Sequence, residues 1–256
     1  KVAREFAAAD KPLALCGRGN GETPGSLAEA MAVHTVNALV GSVNQKGGVF
    51  AVPEPEYAVW PEAGLDDTAQ NGMAKGRVDG AGSDAFPLAA SLLNRFAAGV
   101  MDAKDYPVNA LLVSGANPVY ATPDAKAFKK AVEKIPYVVS FSAYMDETAM
   151  QSDLILPNHV YLERYEDVPV NAGLPQQAIG LSRPVVSPQF NTRHLGETLI
   201  TTAKAMGAPM ADAFPWEDYE TCLEETLAEK WDALMEEGVW VETDIDIISD
   251  TIQVAG

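Results

Sequence analysis

From Phe86 onward the apolar positions of the chain fall into a regular succession. Leu88, Leu92, Leu93, Phe96 and Val100 recur at helical spacing and predict a helix over 87–100. "NALLVSG" is too uniformly apolar to face water and predicts a central parallel strand. Thr122, Pro123 and Asp124 then supply an N-cap, a first-turn proline and a first-turn acid for a helix through "AKAFKKAVEK". "YVVSF" predicts the next strand, a short helix opens near Asp146, and "DLILP" is strand-like again. This β-α-β-α-β alternation predicts an α/β fold, an open and mostly parallel sheet with helices on both faces.

Upstream the pattern is less regular. Residues 1–9 read as the end of a helix and "KPLALC" as a short buried strand. The glycine-rich "GRGNGETPG" follows, and Ser26 with Glu29 has capping-box spacing for a helix to about Val40, with Leu27, Met31 and Ala38 among its apolar positions. Gly41 is placed to end it. Residues 53–85, rich in Pro and Gly, read as a long loop of the kind that marks an insertion, a lid or a contact surface. Downstream, 191–206 and 217–236 look helical, and 237–256 is acidic and weakly patterned.

Composition narrows the function classes. The 256 residues carry a formal charge of −18, which disfavours nucleic acid and anionic membrane surfaces as general partners. No apolar run approaches the roughly 20 residues needed to span a bilayer. Cys16 and Cys222 form no CxxC, so an iron–sulfur or structural zinc site from this chain alone is not expected. His34, His159 and His194 lack metal-ligand spacing and read as surface or satisfied core residues. There is no GxSxG elbow. The opening Lys1-Val2-Ala3-Arg4-Glu5 reads as the inside of a helix, which suggests a piece of a longer polypeptide.

Two loops could hold a ligand. "GRGNG" resembles a phosphate-cradling turn, but its spacing is not GxGxxG and a plain strand-to-helix connection remains the rival reading. In "SGANPVYATP", Gly115 permits close backbone approach, Asn117 both donates and accepts, and Pro118 stiffens the turn at a strand's carboxyl edge, where open α/β sheets bind ligands. Asp146 and Glu147 read as helix-start acids rather than an acid–base pair.

Taken in order, "HTVNALVGSVNQKGGVF", "ALLVSGANPVYATPD" and "YVVSFSAYMDETAMQSDLILPNHVYLERYEDV" resemble the large subunits of molybdopterin oxidoreductases, the dimethyl sulfoxide reductase group. "RPVVSPQFNTRHLGETLITTAKAMG" adds a segment similar to the clade of polysulfide and thiosulfate reductases and quinone-linked respiratory relatives. The resemblance implies parts of two adjacent Rossmann-like domains: the end of one over 1–85, a second half-domain over 86–207, and a helical, acidic linker over 208–256 toward a missing C-terminal domain. It implies an internal stretch of a subunit that holds molybdopterin guanine dinucleotide with Mo or W. The family's iron–sulfur segment and metal-coordinating residue are not in this sequence, so no catalytic or metal-ligating residue and no cofactor bound to this stretch alone are expected.

Carried over by position, the resemblance puts Gly115, Asn117 and Pro118 near a guanosine or phosphate arm. It puts Ser140 and Ser142 near the guanine or ribose, Glu147 and Thr148 at the start of the adjoining helix, and Gly47 and Gly48 at a close backbone approach. Many members carry an acid where this chain has Ser142, and exchanging a charge-assisted bond to guanine for a hydroxyl costs about 1 kcal/mol. Partners implied by the family are an iron–sulfur electron-transfer subunit and a membrane-anchor or cytochrome subunit, on the periplasmic or outward face of a membrane. A cofactor-free molybdopterin-like scaffold subunit of a quinone reductase complex is the rival reading. An independent acidic nucleotide-binding domain is a weaker one.

Overall fold

In the computed structural model, which describes residues 1–17, 25–50, 55–60, 62, 64–102, 106–170 and 176–242, Val138, Val139 and Ser140 are buried one after another. Successive strand residues point to opposite faces, so a run like this requires cover on both sides of the sheet. The elements in chain order are α1 (Val2–Ala8), α2 (Ser26–Leu39), α3 (Asp67–Met73), α4 (Leu93–Asp102), β1 (Ala110–Val113), α5 (Pro118–Ala121), α6 (Ala125–Val132), β2 (Tyr137–Ser140) and β3 (Leu154–Ile155). They continue with β4 (Glu166–Pro169), β5 (Ala178–Ser182), α7 (Leu195–Met206), α8 (Met210–Ala213), α9 (Tyr219–Leu227), α10 (Trp231–Glu237) and β6 (Val239–Val241). Single 3₁₀ turns lie at Ala149–Gln151 and Ala228–Lys230.

β1, β2 and β3 form a parallel sheet in that order, with Ala110 opposite Tyr137 and Val139 opposite Leu154. The expected α/β fold is present. β2 is the middle strand, however, and β1, predicted as central, lies at the edge among the described residues, with Leu112 56% exposed. α4 packs against α6, and Ala97, Val100, Phe128, Ala131, Val132 and Val138 make the core beneath them.

Local signals erred in four places. The helix predicted over 87–100 begins only at Leu93. The buried Asp79 carboxylate accepts from the N–H groups of Leu92 (2.9 Å) and Ala81 (3.1 Å), and Leu92 packs with Ala81, Phe86 and Ala89 instead of joining a helical stripe. Asp124, not Thr122, caps α6 by accepting from Ala127 N–H at 2.9 Å, while Thr122 donates its hydroxyl to the Pro118 carbonyl. The predicted strand 11–16 joins no sheet among the described residues. Instead the buried Asn37 carboxamide accepts from Ala14 N–H and donates to Ala14 C=O, both at 2.8 Å, and so stands in for a strand neighbour. No capping box forms at α2, whose N-cap is Gly25 and which leaves Met31 and Leu39 exposed.

The 53–85 stretch contains the helix α3, capped by Asp66. Most of "GRGNGETPG", residues 18–24, and residues 243–256 lie outside the described residues.

A second sheet was not predicted. β4, β5 and β6 pair antiparallel in that order, Glu166 opposite Ser182 and Ala178 opposite Val241. Ile179 and Leu181 of β5 pack on Leu223 and Leu227 of α9 and on Trp231 and Leu234 of α10. α10 ends at Gly238, whose carbonyl accepts from Leu181 N–H as the chain turns into β6. Among the described residues no helix is long and apolar enough to cross a membrane.

Candidate functional site

The carboxyl ends of β1 and β2 open onto one cleft of about 400 Å³. β1 ends at Val113, and the chain turns through Gly115, whose φ of +65° lies in the left-handed region that a side chain resists. Asn117 then begins α5, with Pro118 at its first position. β2 ends at Ser140 and continues through Phe141 and Ser142 into the turn that carries Asp146 to Thr148.

One buried side chain ties these loops together. Thr148 Oγ1 donates to Asn117 Oδ1 at 2.7 Å and accepts from Val119 N–H at 3.1 Å, and Thr148 N–H donates to the same Asn117 oxygen. Asn117 Nδ2 donates to Glu147 Oε2 at 2.7 Å. The carboxamide of Asn117 is therefore engaged with its own chain, and Pro118, Ser140 and Thr148 are buried behind the rim. Of the residues singled out by sequence, Gly115, Asn117 and Ser142 line the cleft itself.

Ser142 Oγ donates to Asp146 Oδ2 at 2.7 Å and accepts from Tyr144 N–H, and Ser140 Oγ accepts from Ser142 N–H. Asp146 Oδ1 accepts from Ala149 N–H at 2.8 Å. The helix-start role expected of Asp146 is present, and the same carboxylate also lines the cleft. Tyr144 and Tyr161 line it too, 73% and 68% exposed. The far wall is Asn158 to Tyr161 with Arg164, whose guanidinium pairs with Glu166 (2.7 Å) and donates to the His159 carbonyl. Sequence reading took His159 as a surface or core residue and passed over the others, because their approach depends on the chain returning after β3. The one local signal was the pair of tyrosines beside a strand-end turn.

Gly47 and Gly48 do not line this cleft. They close the turn 42–49, where a Cβ on Gly48 would strike the Ser42 carbonyl, so the close approach is to their own backbone.

A second cleft of about 260 Å³ shares His159 and Arg164 and adds His194, Glu197 and Tyr219. His194 Nδ1 accepts from Gly196 N–H to cap α7, and the ring stacks on Tyr219 with centroids 3.9 Å apart. Burial, reinforced by the nearby Arg164 and His159 charges, lowers the His194 pKa to about 4, so the ring is neutral near pH 7. Burial, with Asp167 among the neighbouring groups, pushes the Tyr219 phenol up to about 12. The His159 ring nitrogen lies 2.7 Å from Thr192 Oγ1. A third groove, about 920 Å³, runs between Arg77–Gly80 and α4, away from the strand ends. Among the described residues no group of three or more His, Cys, Asp or Glu side chains could hold a metal ion.

Comparison with known proteins places the chain in a family. The chain is 34% identical over 212 residues to the menaquinone reductase molybdopterin-binding-like subunit of Nitratidesulfovibrio vulgaris, an alignment covering 83% of this chain and 28% of that protein. It is 27% identical over 202 residues to the thiosulfate reductase molybdopterin-containing subunit PhsA of Salmonella typhimurium, covering 74% and 26%. The chain thus spans about a quarter of the length of these curated relatives. Its fold matches acetylene hydratase from Pelobacter acetylenicus with a TM-score of 0.63 at 18% identity, over 86% of this chain and 33% of that one. The molybdopterin oxidoreductase profile matches residues 1–197, a span that includes both strand-end loops and the cleft between them, and the chain belongs to that family.

Proposed function

We propose that this stretch forms part of the surface that holds a molybdopterin guanine dinucleotide in the large subunit of a respiratory oxidoreductase, one acting on sulfur compounds or linked to quinone. The observation that carries the reading is the cleft where β1 and β2 end together, lined by Gly115, Asn117 and Ser142 in a member of this family. Ligands of open α/β sheets bind in such crevices.

The residues present fit the nucleoside end of that group. Gly115 has open space where a Cβ would stand, Asp146 and Ser142 offer polar atoms, and Tyr144 and Tyr161 offer flat faces. They do not fit a phosphate equally well, because Arg164, the cation among the described residues of the cleft, is already paired with Glu166. Gly115, Ser142 and Asp146 would hold the nucleoside, while Asn117, Thr148, Glu147, Pro118 and Ser140 keep the two loops in register. When bound, the group supplies electron-pair or oxygen-atom transfer at its metal. The chain's own part is binding and orientation. By family analogy the parent works with an iron–sulfur subunit and a membrane-anchor or cytochrome subunit on the outward face of a membrane.

A second reading is a cofactor-free scaffold of a quinone reductase complex. The 34% identity to a subunit described as molybdopterin-binding-like favours it, as does the serine at position 142. Molybdenum, tungsten and acid-released GMP, measured on the protein purified with its native partners, separate the two. Stoichiometric metal and GMP are expected. Absence of both from material kept anaerobic overturns the cofactor-holding reading and leaves the scaffold.

A further inference from the structure

α4 and α6 pack together over the parallel sheet and leave a groove of about 290 Å³ between their outer sides. Leu93, Asn94, Ala97, Ala98 and Met101 line one wall at i, i+1, i+4, i+5 and i+8, so a single face of α4 is used along nearly its whole length. Ala127, Phe128 and Lys130 of α6 line the other wall. None of the groove's lining residues belongs to the strand-end cleft. Leu93 is 48% exposed and Met101 41%, with the small Ala97 and Ala98 between them. They stand about 12 Å apart along the helix, two turns. Large apolar side chains at the ends and small ones between suit the side-chain ridge of a second helix, seated by residues spaced i, i+4 and i+7.

Charge selects the kind of helix. The chain is −18 overall, yet residues 75–134 carry eight Lys and Arg against six Asp and Glu. Two of those acids are already committed, Asp79 to Arg77 and two backbone N–H groups, and Asp124 to the cap of α6. Lys126 stands one turn before Lys130 on α6, both are exposed, and neither makes an ion pair among the described residues. Asn94, Ala98 and Met101 also border the 920 Å³ groove, so two depressions meet over α4. Arg95 lines that larger groove with its guanidinium 4.9 Å from the centre of the Phe86 ring, and it too has no ion pair among the described residues. Cations therefore flank the exposed side of α4 on both sides, in a chain whose other segments hold the acid excess. Asp102, at the C-terminal end of α4, is the acid on this face and turns a partner's carboxylates toward Arg95 and the lysines. A phosphate backbone would meet the cations but leave the apolar groove empty, against the repulsion of the whole chain.

We infer that the outer face of α4 and α6 docks an acidic amphipathic helix of a partner protein. Its apolar residues seat between Leu93 and Met101, and its carboxylates face Lys126, Lys130 and Arg95. The surface lies apart from the strand-end cleft, so it serves the cofactor-holding and the scaffold readings equally and depends on neither.

The test begins with carbodiimide cross-linking of the protein purified with its native partners, which joins a lysine amine directly to a carboxylate in contact with it. Peptide mass spectrometry should find Lys126 or Lys130 joined to an Asp or Glu of a different protein, in a segment with apolar residues at i, i+4 and i+7. A synthetic peptide copying that segment is then titrated into the 256-residue chain by fluorescence anisotropy. Lys126→Glu combined with Lys130→Glu should weaken binding about tenfold, mainly through a slower association rate, and added salt should weaken the unaltered chain in the same way. The same peptide with Lys in place of its acids should bind the double variant better than the unaltered chain. Ala98→Trp fills the groove without changing a charge and should weaken binding at every salt concentration. All three positions are exposed, and unchanged thermal melts check that the variants fold. Cross-links from these lysines only to the parent's own polypeptide or to a second copy of it overturn the inference, as does finding none. Peptide binding indifferent to Ala98→Trp overturns it as well. Sedimentation with phosphatidylglycerol vesicles that the double variant loses, without any cross-link to another protein, overturns it in favour of a membrane surface.

Discussion

The two sheets of this protein are built on opposite principles. The parallel sheet takes β1, β2 and β3 in order and covers β2 on both faces, so its strands are short, uniform apolar runs separated by helices. The antiparallel sheet takes β4, β5 and β6, and its outer strands carry little apolar signal: β4 reads Glu-Asp-Val-Pro, and β6 follows the acidic end of α10. Its core comes from one strand, β5, and two helices that follow it in the chain. The lesson is that the carboxyl edge of a sheet can be read where short apolar runs alternate with helices. A sheet that uses edge strands as cover is seen only once it is assembled.

Truncating the two cores should have the largest effect and should separate them. Phe128→Ala in the parallel half and Leu227→Ala in the antiparallel half each remove a side chain buried in a different cluster and should cost about 3–5 kcal/mol. Hydrogen exchange should show Phe128→Ala unprotecting β1 and β2 before β5, and Leu227→Ala the reverse. Equal loss in both sheets from either variant would remove the distinction.

Acid should distinguish the two halves next. His194, beside the antiparallel half, titrates near 4 when folded against 6.5 ordinarily. Its contribution is therefore complete above pH 6.5 and is lost as the pH falls toward 4, on the order of 2 kcal/mol after allowing for its partial exposure. Asp79, which organises the turn before α4, is pushed up by burial. The Arg77 guanidinium and the Leu92 and Ala81 N–H groups outweigh this and hold it at about 2, against 3.8 ordinarily. That contribution is complete above pH 3.8 and is lost as the pH falls through 2, roughly 2 kcal/mol. Near-ultraviolet dichroism and exchange followed from pH 7 to 2 should show the His194 region loosening first. Coincident loss would remove the difference, and Asp79→Asn should abolish the lower step alone.

Smaller changes sharpen the picture at the cleft. Thr148→Val keeps the volume but removes the hydroxyl that bonds Asn117 and Val119, and should cost about 1–2 kcal/mol in a denaturant melt. Gly115→Ala meets no neighbour but must hold φ at +65°, for about 1 kcal/mol. Gly48→Ala should disturb the turn 42–49 while leaving ligand binding at the cleft unchanged by NMR titration.

The legible part of the site was its frame. Gly115, Asn117 and Pro118 after one apolar run, and Ser142 after the next, marked where the strands end, and the structure brings those ends together. Their employment was not legible. Asn117 and Thr148 lie 31 residues apart and satisfy each other, so an amide that reads as a ligand contact serves as a brace. Asp146 reads as a cap and is also part of the cleft wall. Leu92 fits a helical stripe by spacing, yet its N–H is taken by Asp79, 13 residues earlier.

By itself the sequence determined the α/β order, the positions of β1, β2 and β3, and the turns at their carboxyl ends. Those features follow from burial on both faces and from Gly, Pro and Asn chemistry, which act within a few residues. Tertiary structure alone decided which strand is central, the pairing of β4 with β5 and of β5 with β6, and which polar side chains of the cleft remain able to meet a ligand. Hydrogen-bond capacity is spent on whatever the fold brings near, and the neighbours that spend it here lie far away along the chain.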